Sequence, residues 1–217
     1  MTQVGIITKK CAVCGKEHEY PILISTNSFG SPDLDLRSPG MQRDTMDYWV
    51  EECPECHYVS GDISKEPKVS KDFLKSESYL TYDGITFKSN IAKKFYREYL
   101  IKKESKDTIG SCSTIICAAW ACDDAEDIEN AKRCREIAIS LIKELDNDTY
   151  TVDVFLKELD LLRRAEKFDQ VIEECKDFDT LGDQLYDEIV RFQVAKAKEK
   201  DSSAYTLMDA HNFKNES

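Results

Sequence analysis

The chain has no apolar run long enough to span a bilayer, and its first ten residues, MTQVGIITKK, lack the hydrophobic stretch of a signal peptide. A cytoplasmic protein is therefore expected, with no membrane partner. Positive charge is scarce: 30 Lys and Arg against 42 Asp and Glu give a formal net charge of −12. Phosphate neutralisation by basic side chains supplies most non-specific nucleic-acid affinity, so nucleic acid is not an expected partner. Only three histidines are present, which leaves little for a Cys–His or Ser–His–Asp constellation. No Walker loop, dinucleotide glycine fingerprint or Gly-x-Ser-x-Gly elbow occurs. The reading leans away from an enzyme.

Proline and glycine are missing from one part of the chain only. From residue 88 onward there is no proline, and the only glycines are Gly110 and Gly182. Packed helices fit that composition. Apolar stripes place them over 89–105 (Ile91, Phe95, Tyr99), 111–123 around Trp120, and 127–146 (Ile128, Ala131, Ala138, Leu141, Leu145). Further helices are expected over 151–165 (Val152, Phe155, Leu159, Leu162), 168–178 (Val171, Cys175, Phe178) and 183–199 (Leu185, Ile189, Phe192). The pair around the RAEKF turn has the spacing of a tetratricopeptide-type hairpin. Four domains or segments follow: 1–65, strands and loops; 66–87, a linker with a short helix over SKDFLKSESYL capped by Ser70; 88–200, helical hairpins; and 201–217, a polar C-terminal tail expected to be partly ordered through Tyr205, Leu207 and Met208.

What the chain does have is cysteine, nine in all. Without an export signal these do not read as a disulfide framework. Cys11 and Cys14 form one Cys-x-x-Cys pair, Cys53 and Cys56 a second, and each suits a tight turn that delivers two thiolates to a metal. Gly15 after the first pair accommodates the positive φ such a turn requires, and His57 after the second does so less readily. Four thiolates fill a tetrahedral shell, so one structural zinc is expected, worth on the order of 10 kcal/mol to folding. A catalytic zinc would need a cysteine displaced, by His18 or His57. Cys112, Cys117 and Cys122 recur every five residues, which on a helix turns successive thiols about 140° apart. They are expected to pack, as are Cys134 and Cys175.

The stretch FGSPDLDLRSPGMQRDTMDYW…ECPECHYVS, preceded by CAVCG, resembles a family of uncharacterised bacterial proteins. They have an N-terminal zinc-ribbon-type domain of unknown function, often followed by tetratricopeptide-like helices. The resemblance is most specific over 11–60 and implies architecture, with no activity attached. The sequence departs from it at His57, where glycine would be expected, and at Ser38, where a second proline would be.

Between the cysteine pairs, an extended 33–37 segment would put Asp33, Asp35 and Arg37 on one face and Leu34 and Leu36 on the other, with the leucines anchoring the loop. Asp33, Asp35, Arg37 and Arg43 are thus candidates for a small ligand- or partner-binding surface near the metal, Arg37 and Arg43 reading an anion or carboxylate. The bland alternative pairs Arg37 with its own neighbouring aspartates. Trp49 and Tyr48 are expected to pack on the zinc module. The basic, aromatic-rich segment 88–106 is expected to be the solvated face of an amphipathic helix with its aromatics inside.

The resulting fold class is α+β, a small zinc-ribbon-like β module followed by an α-helical hairpin, tetratricopeptide-like array. The expected function is a non-enzymatic, zinc-stabilised cytoplasmic adaptor for a protein or peptide partner. The alternative is a small-ligand or anion binder, or an enzyme, using the 33–43 residues. A nucleic-acid-binding zinc ribbon comes third, because residues 1–60 carry five Lys/Arg against nine Asp/Glu.

Overall fold

The computed structural model describes residues 1–213. The chain is mixed α/β: small antiparallel β-hairpins lie near the N-terminus and helices follow. It separates into two compact units, one formed by residues 1–28 and 40–134, the other by 29–39 and 135–217 as far as described. The expected change at residues 65–88 is thus one of secondary structure, whereas the packing units divide elsewhere.

In the first unit, β1 (Gln3–Lys10) and β2 (Glu17–Ser25) pair antiparallel from Lys10↔Glu17 to Gln3↔Ser25. Alternation puts Ile7 and Lys9 opposite Tyr20 and His18 on one face, where Tyr20 is buried. After α1 (Gly40–Arg43) and a 3-10 turn at Met46–Tyr48, β3 (Glu51–Glu52) pairs with β4 (Val59–Ser60). Each hairpin turn contains one cysteine pair. The segment 66–87 begins with a 3-10 turn at Phe73–Lys75, where Ser70 Oγ accepts from the Phe73 amide at 3.1 Å. Its short helix, α2 (Glu77–Thr81), starts later than SKDFLKSESYL suggests and is capped by Ser76. Helices α3 (Asn90–Glu104) and α4 (Thr108–Asp124) then form a hairpin and bury Phe95, Tyr96, Tyr99, Ile115, Ala119 and Cys122. The aromatics of 88–106 therefore face inward, as expected. A Cβ at Gly110 would lie 2.2 Å from the Asp107 carboxylate that caps α4, so a side chain there would displace that cap. Helix α5 (Ile128–Ile142) runs across the boundary between the units. Cys112, Cys122 and Cys134 are buried, in keeping with packing thiols.

The second unit contains α6 (Val152–Arg164), α7 (Phe168–Glu174), α8 (Gln184–Lys198) and α9 (Leu207–Asn212). The first apolar residues of the expected stripes, Ile128, Val152 and Leu185, are exposed. They sit in first turns, ahead of the packed part of each helix. Residues 201–213 are ordered by more than the apolar residues of the expected tail. The Arg163 side chain, fully buried, donates to the carbonyls of Asp201 and Ser203, both at 2.8 Å, and Tyr205 packs edge-on against Phe192. Helix α9 follows with a reciprocal Thr206–Asp209 capping box. The end of the expected tail, 214–217, lies outside the described residues.

Candidate metal centre

Both cysteine pairs adopt the same backbone turn. In the first, the Cys11 amide donates to the Lys16 carbonyl and the Gly15 amide to the Cys11 carbonyl, both at 2.8 Å. In the second, the Cys53 amide donates to Tyr58 at 2.8 Å and the His57 amide to Cys53 at 2.9 Å. Gly15 has φ +74° and His57 φ +59°, so both positions expected to be left-handed are so. His57 is held by its side chain, whose Nδ1 lies 3.0 Å from Glu52 Oε1.

The two turns face each other. Cys11 Sγ lies 3.7 Å from Cys56 Sγ, Cys14 Sγ 3.6 Å from Cys53 Sγ, and all four sulfurs fall within 4.8 Å of one another. These gaps are too long for disulfides. A metal with sulfur ligands at about 2.3 Å would have sulfur–sulfur edges of about 3.8 Å, so the spacing fits a tetrahedral four-thiolate shell. Backbone amides supply charge compensation: Lys16 N–H points at Cys14, Glu55 and Cys56 N–H at Cys53, and Tyr58 N–H at Cys56. Burial opposes ionisation of Cys14, yet the Lys16 amide and neighbouring thiols hold its pKa below the ordinary thiol value. Burial pushes Cys53 and Cys56 up. Among the described residues this is the only converging group of potential metal-ligating side chains, and neither His18 nor His57 belongs to it.

The scaffold around the thiols reaches into the helices of the same unit. The Tyr79 hydroxyl donates to the His57 carbonyl at 2.8 Å. Arg97 of α3 pairs with Glu52 and lies over the Tyr82 ring at 4.6 Å. Lys9 Nζ reaches Glu51 at 2.7 Å and Asp62 at 3.3 Å, while Glu51 also accepts from the Ile63 amide. The Ala12 amide donates to the Ile63 carbonyl at 3.0 Å, joining the first turn to the segment after the second. None of these supporting contacts was legible in the sequence, since they link residues 12 or more positions apart. Trp49 Nε1 donates to Thr45 Oγ1 within its own turn.

The other candidate residues are divided between the two units. Asp33, Asp35 and Arg37 fall in the second unit, and Arg43 in the first, where it lines a cleft with Asp44, Ser89 and Asp124. The 33–37 segment is a turn, not an extended strand: the Leu36 amide donates to the Asp33 carbonyl and the Asp33 amide to the Arg37 carbonyl. Leu36, at φ +67°, points outward and is exposed, whereas Leu34 is buried as expected. The polar side chains are the inward ones. Asp35 accepts from Arg164 at 3.0 Å and from the Arg37 amide at 3.2 Å. Backbone pairing of Leu34 with Tyr205 and of Leu207 with Pro32, both at 2.9 Å, fixes the loop against 205–207.

Compared with models of protein families, with curated proteins and with solved structures, the chain matches none. The resemblance over 11–60 accordingly rests on its own motifs, of which the four cysteines do come together. Among the described residues, no helix is long and apolar enough to cross a membrane.

Proposed function

We propose that the four-cysteine cluster holds one structural zinc, and that the protein is a non-enzymatic cytoplasmic adaptor for a protein or peptide partner. The observation that carries this reading is the convergence of four thiols at tetrahedral spacing, with amide donors compensating their charge. Such a shell leaves no position for water or substrate, so the metal would act as scaffold. In this reading the first hairpins are a zinc-ribbon-like module and the later helices a tetratricopeptide-like array, whose concave faces suit peptide binding. The internal bonds of Asp35, and the burial of Asp33 and Arg37, weigh against an anion-reading surface there.

Metal analysis of protein purified without added zinc is the test. One zinc per chain, retained under a chelator until the protein unfolds, is the expected result. Cys53→Ser should lose the metal and, in hydrogen exchange, lose protection in β3, β4 and α2, which the second turn anchors. A readily exchanged ion, a different metal or none would sink the scaffold role.

A further inference from the structure

Strand β1 pairs with β2 on one side and, among the described residues, with no strand on the other. The Cys11 amide donates to the Lys16 carbonyl at the turn, and antiparallel pairing alternates from there. Lys9, Ile7 and Gly5 exchange hydrogen bonds with β2, while Val4, Ile6 and Thr8 turn their N–H and C=O groups outward. Pro21 fits the same phase from the other strand: it stands opposite Ile6, so its missing N–H falls on the outer edge of β2. One edge of the ribbon is thus interrupted by proline and the other is open. The open edge lacks the usual protection of strand edges. Its middle, VGIIT, carries no charge and no proline, and the pairing is irregular only between Gln3 and Val4. Ile6 is 72% exposed and Val4 44%, on the face they share with Pro21 and Leu23, and Ile7 and Ile24 are exposed as well. Unpaired main-chain groups flanked by exposed apolar side chains are a template for another strand.

We infer that β1 pairs antiparallel with β1 of a second copy of this chain, about a two-fold axis at Ile6. An axis perpendicular to the ribbon keeps each face on its own side, so only residues of one face oppose each other. Centred on Ile6, it sets Ile6 against Ile6, Val4 against Thr8 and Gln3 against Lys9. The outward groups of Val4, Ile6 and Thr8 then all find partners, and the strand's most exposed apolar side chain meets its own copy. No lysine opposes a lysine, as would happen with the axis at Lys9 or Lys10. A foreign strand would meet the same groups, but β1 is already its own complement. The net charge of −12 on each chain opposes association, so pairing tightens as salt screens the repulsion. One strand edge buries far less than the ~1,600 Å² of a standard interface, which places the dissociation constant at about 10–100 µM.

Sedimentation velocity of the full chain from about 5 to about 500 µM, with amide hydrogen exchange over the same range, is the test. A reversible monomer–dimer equilibrium is expected. The amides of Val4, Ile6 and Thr8 should gain protection as concentration rises, whereas those of Gly5 and Ile7, bonded to β2, should be protected throughout. Ile6→Lys alters an exposed side chain and sets two ammonium groups opposite each other, so it should weaken pairing roughly tenfold, while Ile6→Val should leave it near the parent. Unchanged metal content and circular dichroism would show that the lysine variant folds, and the exchange pattern is read on the parent and needs no variant. A chain that stays monomeric at the highest concentration, a dimer indifferent to Ile6→Lys, or protection that does not alternate along β1 would overturn the inference.

Discussion

Glu158 is a carboxylate placed where a charged group is costly. It is buried in α6, accepts the Tyr150 hydroxyl at 2.6 Å, and is held above its ordinary pKa by burial and by Glu174, against the opposing effect of Tyr150 and Lys143. The native state therefore keeps the Glu158 proton to higher pH than the unfolded chain does. Its effect on stability is lost as pH rises from about 4.5 through the elevated folded value, because folding then requires either a buried charge or a retained proton. Glu158→Gln keeps the oxygen that Tyr150 donates to and removes the titration. Urea unfolding midpoints should fall less steeply with pH in that variant than in the parent over this window, and equal slopes would show that Glu158 does not titrate differently on folding. At the thiols, too, local chemistry depends on neighbours: Cys14 is set apart in ionisation from Cys53 and Cys56 by burial and by which amides point at them.

One device recurs among the helices. At the ends of α3, α4, α6 and α8, residues Lys106, Glu126, Glu166 and Lys200 adopt positive φ. In each case the following amide reaches back five residues and the left-handed residue's own amide three: Asp107 to Lys102 and Lys106 to Lys103, for example, and Asp201 to Lys196 and Lys200 to Ala197. These are Schellman ends built without glycine. A side chain in that conformation costs about 1–2 kcal/mol, and glycine would relieve part of it. Lys106→Gly, Glu126→Gly and Glu166→Gly are each expected to stabilise the protein by about 0.5–1 kcal/mol in chemical denaturation, with the alanine variants gaining nothing. The helices were legible because their stripes repeat every three to four residues. Their stops were less so, since the left-handed residue that ends each is Lys or Glu and carries no glycine signal. The same holds at His57, whose position is fixed by the turn around Cys53 and Cys56.

Across the second unit, burial of Arg163 ties distant parts of the chain together. Its guanidinium bonds Asp160 at 2.7 Å and Gln193 at 2.6 Å as well as the two carbonyls after α8. Arg163→Leu would leave Asp160 buried without its cation, and a loss of about 3–5 kcal/mol is expected in unfolding experiments. Limited proteolysis should at the same time find the 201–206 segment newly accessible, and a variant as stable and resistant as the parent would refute the role given to this side chain. The sequence by itself determined the two cysteine turns, because each Cys-x-x-Cys pair sits in a local hydrogen-bonded loop that closes within six residues. It likewise determined the helices and the inward placement of Phe95, Tyr96 and Tyr99, since periodicity is a local property. Only the tertiary structure decided that Asp35 would pair with Arg164, 129 residues away, and that the buried Arg163 would be what fixes the 201–206 segment. Those outcomes depend on which buried cation can reach an unmatched carboxylate or carbonyl, and such pairings leave no periodic trace in sequence.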